Sequence, residues 1–254
     1  MEKGMDAYKI KVIALAFMIL DHVRMFLFNM VWPEWVSLLP RFVSPLFLYL
    51  LIEGFYHTGS RKKFMIRLSG AALIMMGGNV IINLLFHHVS SYTGRYTYFS
   101  LTGPHNIFLT LAILFSLVWC LENIRNREKI VLNIVLVVIL AFLCIFAEGG
   151  IELLPIAFIL WFFHGKKSLQ CIGIGVYSIC LLMKTVITYF SGPRLTSFYV
   201  DICFDNGWAI FFVIFFILLY NGERGKNTKF TKYLFYIIYP IHLWILMIIE
   251  YLIA

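Results

Sequence analysis

Residues 8–30 read Tyr8-Lys9-Ile10-Lys11, then V-I-A-L-A-F-M-I-L over 12–20, then Asp21-His22-Val23-Arg24, then M-F-L-F-N-M over 25–30. The stretch is long enough to cross an apolar layer of about 30 Å as a helix, which takes roughly 20 residues. It nonetheless carries three ionisable groups in four residues at its far end. An ionisable side chain inside a bilayer costs about 2.5–3.5 kcal/mol on insertion scales, so such groups point to function. Lys11 and His22 are eleven positions apart. At 100° per residue they fall within about 20° of the same helix face, separated by roughly 16 Å along the axis. One helix therefore aims a cation near one end and an imidazole deeper down in the same direction. Asp21 and Arg24 are three apart and pair across one turn. The plainer alternative is a self-neutralising Asp21–Arg24 pair with His22 packed as a polar core residue.

The rest of the chain repeats the apolar theme. Of its 254 residues, 61% are hydrophobic and 13% charged, with a mean hydropathy of +0.87. Soluble domains carry roughly 25% charged residues, so the composition excludes an ordinary soluble domain, a disordered chain and a disulfide scaffold. The expected fold is an all-α, polytopic transmembrane helix bundle, one domain over residues 1–254. Apolar runs near 8–30, 41–57, 66–87, 105–121, 130–147, 151–163, 168–190, 207–220 and 233–253 give about nine spans; the sixth is short and contains Pro155. Joining alternate loops places sixteen Lys and Arg on one side and only Arg41, Arg95 and Arg194 on the other, with Arg24 and Lys184 inside spans; Lys3 falls in the larger set. This asymmetry predicts a cytoplasmic N-terminus, an outside C-terminus and a multi-pass protein of the cytoplasmic membrane. The net charge of +8 then reflects topology and contact with the lipid bilayer or an anionic cofactor, not nucleic acid. The outer loops, 31–40, 88–104 and 192–206, are rich in aromatic and turn-forming residues. The five cysteines show no metal spacing, and only Cys203 reads as a loop residue.

Other polar residues stand out against this background. Glu53 and His57 share a helix face four apart, followed by Arg61, Lys62 and Lys63. They are either part of a site or an interfacial helix end. Asn79 and Asn83 suit interhelical hydrogen bonds, and Asn106 and Thr110 open the fourth span in the same way. Pro240 frees a backbone carbonyl near position 236; His242 either satisfies it or is a second site histidine. Glu148 and Glu152, beside Gly149-Gly150, read as a solvated turn, and His87, His88 and His105 as rim residues.

The Lys11-x10-His22 pattern closing on Asp21-His22 resembles the start of the TraX family of integral membrane acyltransferases. Residues 41–67, from Arg41 through Pro45, Glu53-Gly54, His57-Thr58 and Arg61 to Arg67, are similar to a family segment, as are 106–110 and 239–243. Around Glu148-Gly149-Gly150 family members tend to carry Asp-Tyr-Gly, which this chain lacks. The family is named for the enzyme that acetylates the N-terminus of conjugative pilin, and the resemblance extends to the acyltransferase-3 group, where an Arg-x10-His pattern on the first span serves catalysis; Lys11 stands in the Arg position here. The resemblance implies transfer of an acetyl or other acyl group from cytoplasmic acyl-CoA, acetyl-CoA above all, to a membrane-associated or extracytoplasmic amine or hydroxyl acceptor. In that reading His22 is the general base, an imidazole titrating near neutral pH. Asp21, Glu53 and His242 complete the catalytic set. Lys11, Lys9, His57, Arg61 and Arg67 hold the donor, and Arg24 and Asn106 meet the acceptor. No metal is required. The competing class is a proton-coupled membrane transporter using Asp21, His22, Arg24 and Glu53.

Overall fold

In a computed structural model of the chain, residues 4–27, 32–193, 195–226 and 228–253 are described. Lys3, Arg194 and residues 28–31, which hold the expected end of the first span and start of the first outer loop, lie outside them. The described residues are all-α. They form α1 (Ala7–Leu27), a 3-10 segment (Glu34–Phe42), α2 (Val43–His57), α3 (Arg61–Leu85), α4 (Tyr98–Thr102), α5 (Ile107–Arg125), α6 (Ile130–Cys144), α7 (Gly150–Phe162), α8 (Lys167–Ser191), α9 (Phe198–Phe204), a second 3-10 segment (Asn206–Phe212), α10 (Val213–Leu219) and α11 (Lys229–Ile253). Among the described residues the extended pairing is a single parallel bridge, Met5 with Tyr220.

Among the described residues, five helical segments are long and apolar enough to cross a membrane: Glu34–His57, Arg61–Leu85, Ile107–Arg125, Lys167–Ser191 and Tyr233–Ile253. A sixth arises if Phe198–Phe204 and Asn206–Leu219, bent by 63°, count as one broken span. The chain is thus a multi-pass membrane protein, but the expected nine spans are not reached by length and composition. α6 and α7 have only 15 and 13 residues, about 20 Å of rise, because the apolar run 130–147 ends in a turn rather than helix. α1 is long enough, but Lys11, Asp21 and Arg24 fall in even its most apolar 18-residue stretch. The three outer loops also carry helix: the first 3-10 segment, α4 and α9. α4 is nucleated by a capping box between Thr97 and Ser100. Cys203, expected in a loop, lies in α9 with 2% of its surface exposed.

The helices sort into two compact groups. The first comprises Met1–Leu50 and Ile159–Phe235. Here the start of α1 is fixed to the segment after α10. Leu219 and Glu223 carbonyls accept from the Met5 and Ala7 N–H groups at 2.8 and 2.9 Å, and the Asp6 carboxylate accepts from the Lys9 N–H at 2.8 Å. Those bonds serve amides that a helix start leaves without internal partners. Phe42 links α1 to α10, edge-on to Phe17 and stacked on Phe216 with centroids 5.3 and 4.3 Å apart. α8 is tied to the second 3-10 segment by a hydrogen bond from the Ser178 hydroxyl to the Trp208 carbonyl. Lys184 pairs with Asp205 at 3.1 Å.

The second group comprises Leu51–Phe158 and Tyr236–Ala254, with α5 packed between α3 and α6. Asn79 and Asn83 make the interhelical bonds their spacing suggests. Asn79 donates to the Thr102 carbonyl at 2.7 Å and accepts from the Trp244 indole at 3.0 Å. Asn83 donates to the Leu101 carbonyl at 2.7 Å and accepts from the Tyr251 hydroxyl at 2.6 Å. Such bonds hold apolar helices in register where no hydrophobic force does. Trp244 reaches Asn79 across the bare backbone of Gly78, where an added Cβ would lie 2.1 Å from the indole ring. Gly78→Leu is therefore expected to destabilise the protein by about 1–3 kcal/mol or more through overpacking. Thermal unfolding in detergent checks this; an unchanged midpoint would contradict the close approach.

Candidate functional site

α1 is unbroken from Ala7 to Leu27, so Lys11 and His22 keep the helical phase their spacing implies. The Lys11 ammonium lies 5.7 Å from the Phe235 ring centroid, a cation–π distance, with the Arg224 guanidinium near enough to act on it as a like charge. His22 is 8% exposed. Asp21 meets the expected partner, Arg24, at 3.9 Å, and also Arg41, expected only as an outer-loop cation, at 3.7 Å. Lys9 is largely exposed and 3.8 Å from Asp6. The first group thus gathers Lys9, Lys11, Asp21, His22 and Arg24.

The remaining expected site residues lie in the second group. His57 and Glu53 are joined, but through the main chain: His57 Nδ1 is 2.8 Å from the Glu53 carbonyl oxygen. His242 Nδ1 is likewise 2.8 Å from the Ile238 carbonyl, not from the Tyr236 carbonyl four residues before Pro240. A carbonyl only accepts, so Nδ1 is the donor in both rings. Arg61 stacks over Phe55 at 4.0 Å and Arg67 lies over Phe64 at 5.4 Å. The guanidinium groups themselves lie over aromatic faces, contacts that use the π-face of the group and not a carboxylate partner. Tyr56 donates to Glu122 at 3.0 Å, and Arg125 lies 3.9 Å from the same carboxylate. Asn106 works at both ends of its amide: its oxygen caps α5 by accepting from the Leu109 N–H at 3.2 Å, and its nitrogen donates to the Ala72 carbonyl at 3.0 Å.

The densest polar cluster of this group is one that sequence reasoning set aside. Glu148, expected in a solvated turn, is only 23% exposed at its side chain. It accepts from the Tyr239 hydroxyl at 3.0 Å and lies 3.4 Å from His105 Nδ1. The Tyr239 oxygen in turn accepts from the N–H of Ile107, the first residue of α5, at 3.2 Å. The Glu148 carbonyl accepts from Thr110 at 2.8 Å. Local chain geometry explains the inward carboxylate. Gly149 takes a left-handed turn at φ 63°, and an added Cβ at Gly150 would lie 2.0 Å from the Cys144 carbonyl oxygen. Only glycines let the chain reverse so tightly, and the reversal folds Glu148 back towards α5. The Glu-Gly-Gly triplet was the available signal; its two partners sit 43 and 91 residues away, beyond any local pattern. Chemically, the arrangement fixes a carboxylate by a charge-assisted bond and sets an imidazole beside it. Replacing Glu148 with Ala leaves the buried Tyr239 hydroxyl without its acceptor and is expected to cost about 1–3 kcal/mol. Glu148→Gln, which keeps an accepting oxygen, is expected to cost less. Equal thermal midpoints for wild type and Glu148→Ala would show that the network contributes nothing to the fold.

The probable fimbrial assembly protein FimC, serogroup H1, of Dichelobacter nodosus is 27% identical over 187 residues, which cover 72% of this chain and 73% of that protein. No solved structure matches the chain. The profile described as TraX protein matches residues 7–250, from the first turn of α1 to the last turns of α11. The chain belongs to the TraX family.

Proposed function

We propose that the protein is an integral membrane acyltransferase that moves an acetyl group from acetyl-CoA, or a related acyl-CoA, to an amine or hydroxyl acceptor. The observation that carries this reading is the pairing of Lys11 with a buried His22 on one uninterrupted helix of a TraX-family chain. The positive-inside asymmetry supports a cytoplasmic N-terminus in the cell membrane, which puts Lys9 and Lys11 on the side where acyl-CoA is found. The fimbrial relative favours an acceptor such as the N-terminal amine of a pilin or lipoprotein over a glycan hydroxyl.

A thioester is already activated, so catalysis needs positioning, proton transfer and stabilisation of the oxyanion. The acceptor's lone pair forms the new bond to the acyl carbon, and the C–S bond breaks with its electron pair on the CoA sulfur. The acceptor's proton moves to the His22 imidazole, which returns it to the departing thiolate. Lys11 meets the pantetheine or pyrophosphate of the donor. Lys9, His57, Arg61 and Arg67 supply charge or donors for its phosphates. By elimination, Glu53 and His242 are the candidates for orienting the base, and Asp21, Arg24 and Asn106 those for meeting the acceptor.

Membranes lacking the endogenous protein, supplied with purified enzyme and isotopically labelled acetyl-CoA, test this by mass spectrometry for a newly acetylated species. His22→Ala is expected to lower the transfer rate by about 100-fold or more, the size of a general-base contribution, while remaining folded and inserted. Lys11→Ala is expected to raise KM for acetyl-CoA more than it lowers kcat. Undiminished transfer by folded His22→Ala would overturn the assignment.

A further inference from the structure

Arg24 is an unusual arginine. It closes the last turn of α1, its side chain is only 13% exposed, and its nearest carboxylate oxygen, on Asp21, is 3.9 Å away, too far for a hydrogen bond. Its Nε is shut off from solvent, and no described residue accepts from it. A buried donor left without an acceptor is costly, the more so when it is charged. Arg41, one third exposed, approaches the other oxygen of Asp21 at 3.7 Å, while its Nε donates to the Ser37 carbonyl at 3.3 Å. These three groups sum to one positive charge. Phe17, one turn before Asp21, packs on Phe42, which stacks on Phe216; the Phe42 and Phe216 rings are buried in the fold and anchor the elements that carry the two arginines.

We propose that Arg24 and Arg41, bracketing Asp21, form a binding site for the phosphodiester of an anionic phospholipid. The inference does not require the acyl-transfer reading, although it gives Asp21 and Arg24 a second role beside the one proposed for them at the acceptor end. Two guanidinium forks on different elements need more acceptor oxygens than one planar carboxylate gives, and a tetrahedral phosphate offers them. Asp21 then acts as a spacer that keeps the two cations together. The net charge of +1 selects a lipid of net charge −1; a choline headgroup would bring a third cation to the same place.

The test uses the full-length protein in nanodiscs of dioleoylphosphatidylcholine, with and without dioleoylphosphatidylglycerol, and with inorganic phosphate in place of the anionic lipid. A ligand that binds the native state raises the unfolding midpoint. Phosphatidylglycerol is expected to raise the wild-type midpoint by several degrees, and Arg24→Gln and Arg41→Gln to lose that shift. Arg95→Gln, in a loop of the other helix group, is expected to keep it. Should Arg24→Gln fail to fold, the more exposed Arg41→Gln carries the comparison alone. If inorganic phosphate in choline nanodiscs reproduces the shift, and Arg41→Gln abolishes that too, the oxyanion site stands but its occupant is a soluble phosphate. An equal midpoint with and without phosphatidylglycerol, or a shift that survives in Arg41→Gln, overturns the proposal.

Discussion

A charged or hydrogen-bonding side chain placed in an apolar helix has no water to turn to. It must find a partner on a neighbouring element or be supplied with one by a ligand. That requirement organises this molecule. Asn79 and Asn83 hold α3 to the segment around α4 and to α11. Glu148 collects Tyr239 and His105 and, through Tyr239, the first amide of α5. Asp21 stands between two guanidiniums. Each is a polar fastener in a setting where packing alone is weakly specific, because the surrounding medium is as apolar as the side chains. Residues that bring helices close supply the complement: Gly78 admits the Trp244 ring, and Gly173 admits Ile159.

The same requirement distinguishes fasteners from the groups proposed to act in the chemistry. The Asn79 and Asn83 amides use both oxygen and nitrogen within the fold, which is what structural polar groups do. Lys11 lies on an aromatic face, and Arg61 and Arg67 do likewise, with donor forks not consumed by carboxylates in those contacts. The rings of His57 and His242 are oriented by main-chain carbonyls that accept from Nδ1. Cations and imidazoles oriented this way suit a donor rich in phosphate and a reaction that moves one proton.

Much of this was legible in the chain. The all-α membrane fold follows from composition, and the Asp21–Arg24 pair and the interhelical asparagines follow from helical spacing of three or four residues. What failed was whatever depends on where a helix stops or on distant partners. The apolar run 130–147 hid a turn, since hydropathy cannot distinguish Ile145-Phe146-Ala147 in a turn from the same residues in a helix. Cys203 was misplaced because seven residues of α9 are too few to show a period. Arg41 was read from loop polarity, although one turn of 3-10 helix carries it to Asp21. The Glu148–Tyr239–His105 cluster was missed for the plainest reason: three residues far apart in sequence share no local signature. For His242 the sequence left two roles open, and its Nδ1 meets the carbonyl on its own helix face, at Ile238.

The central claim is that this TraX-family chain takes an acyl-CoA as its donor. Thermal unfolding of the purified full-length protein with acetyl-CoA, free CoA or ATP tests it most directly. A donor site built for the CoA scaffold predicts a rise in midpoint with acetyl-CoA and a smaller rise with free CoA, with ATP far behind. A midpoint that ignores acetyl-CoA, or moves as far with ATP, would contradict it.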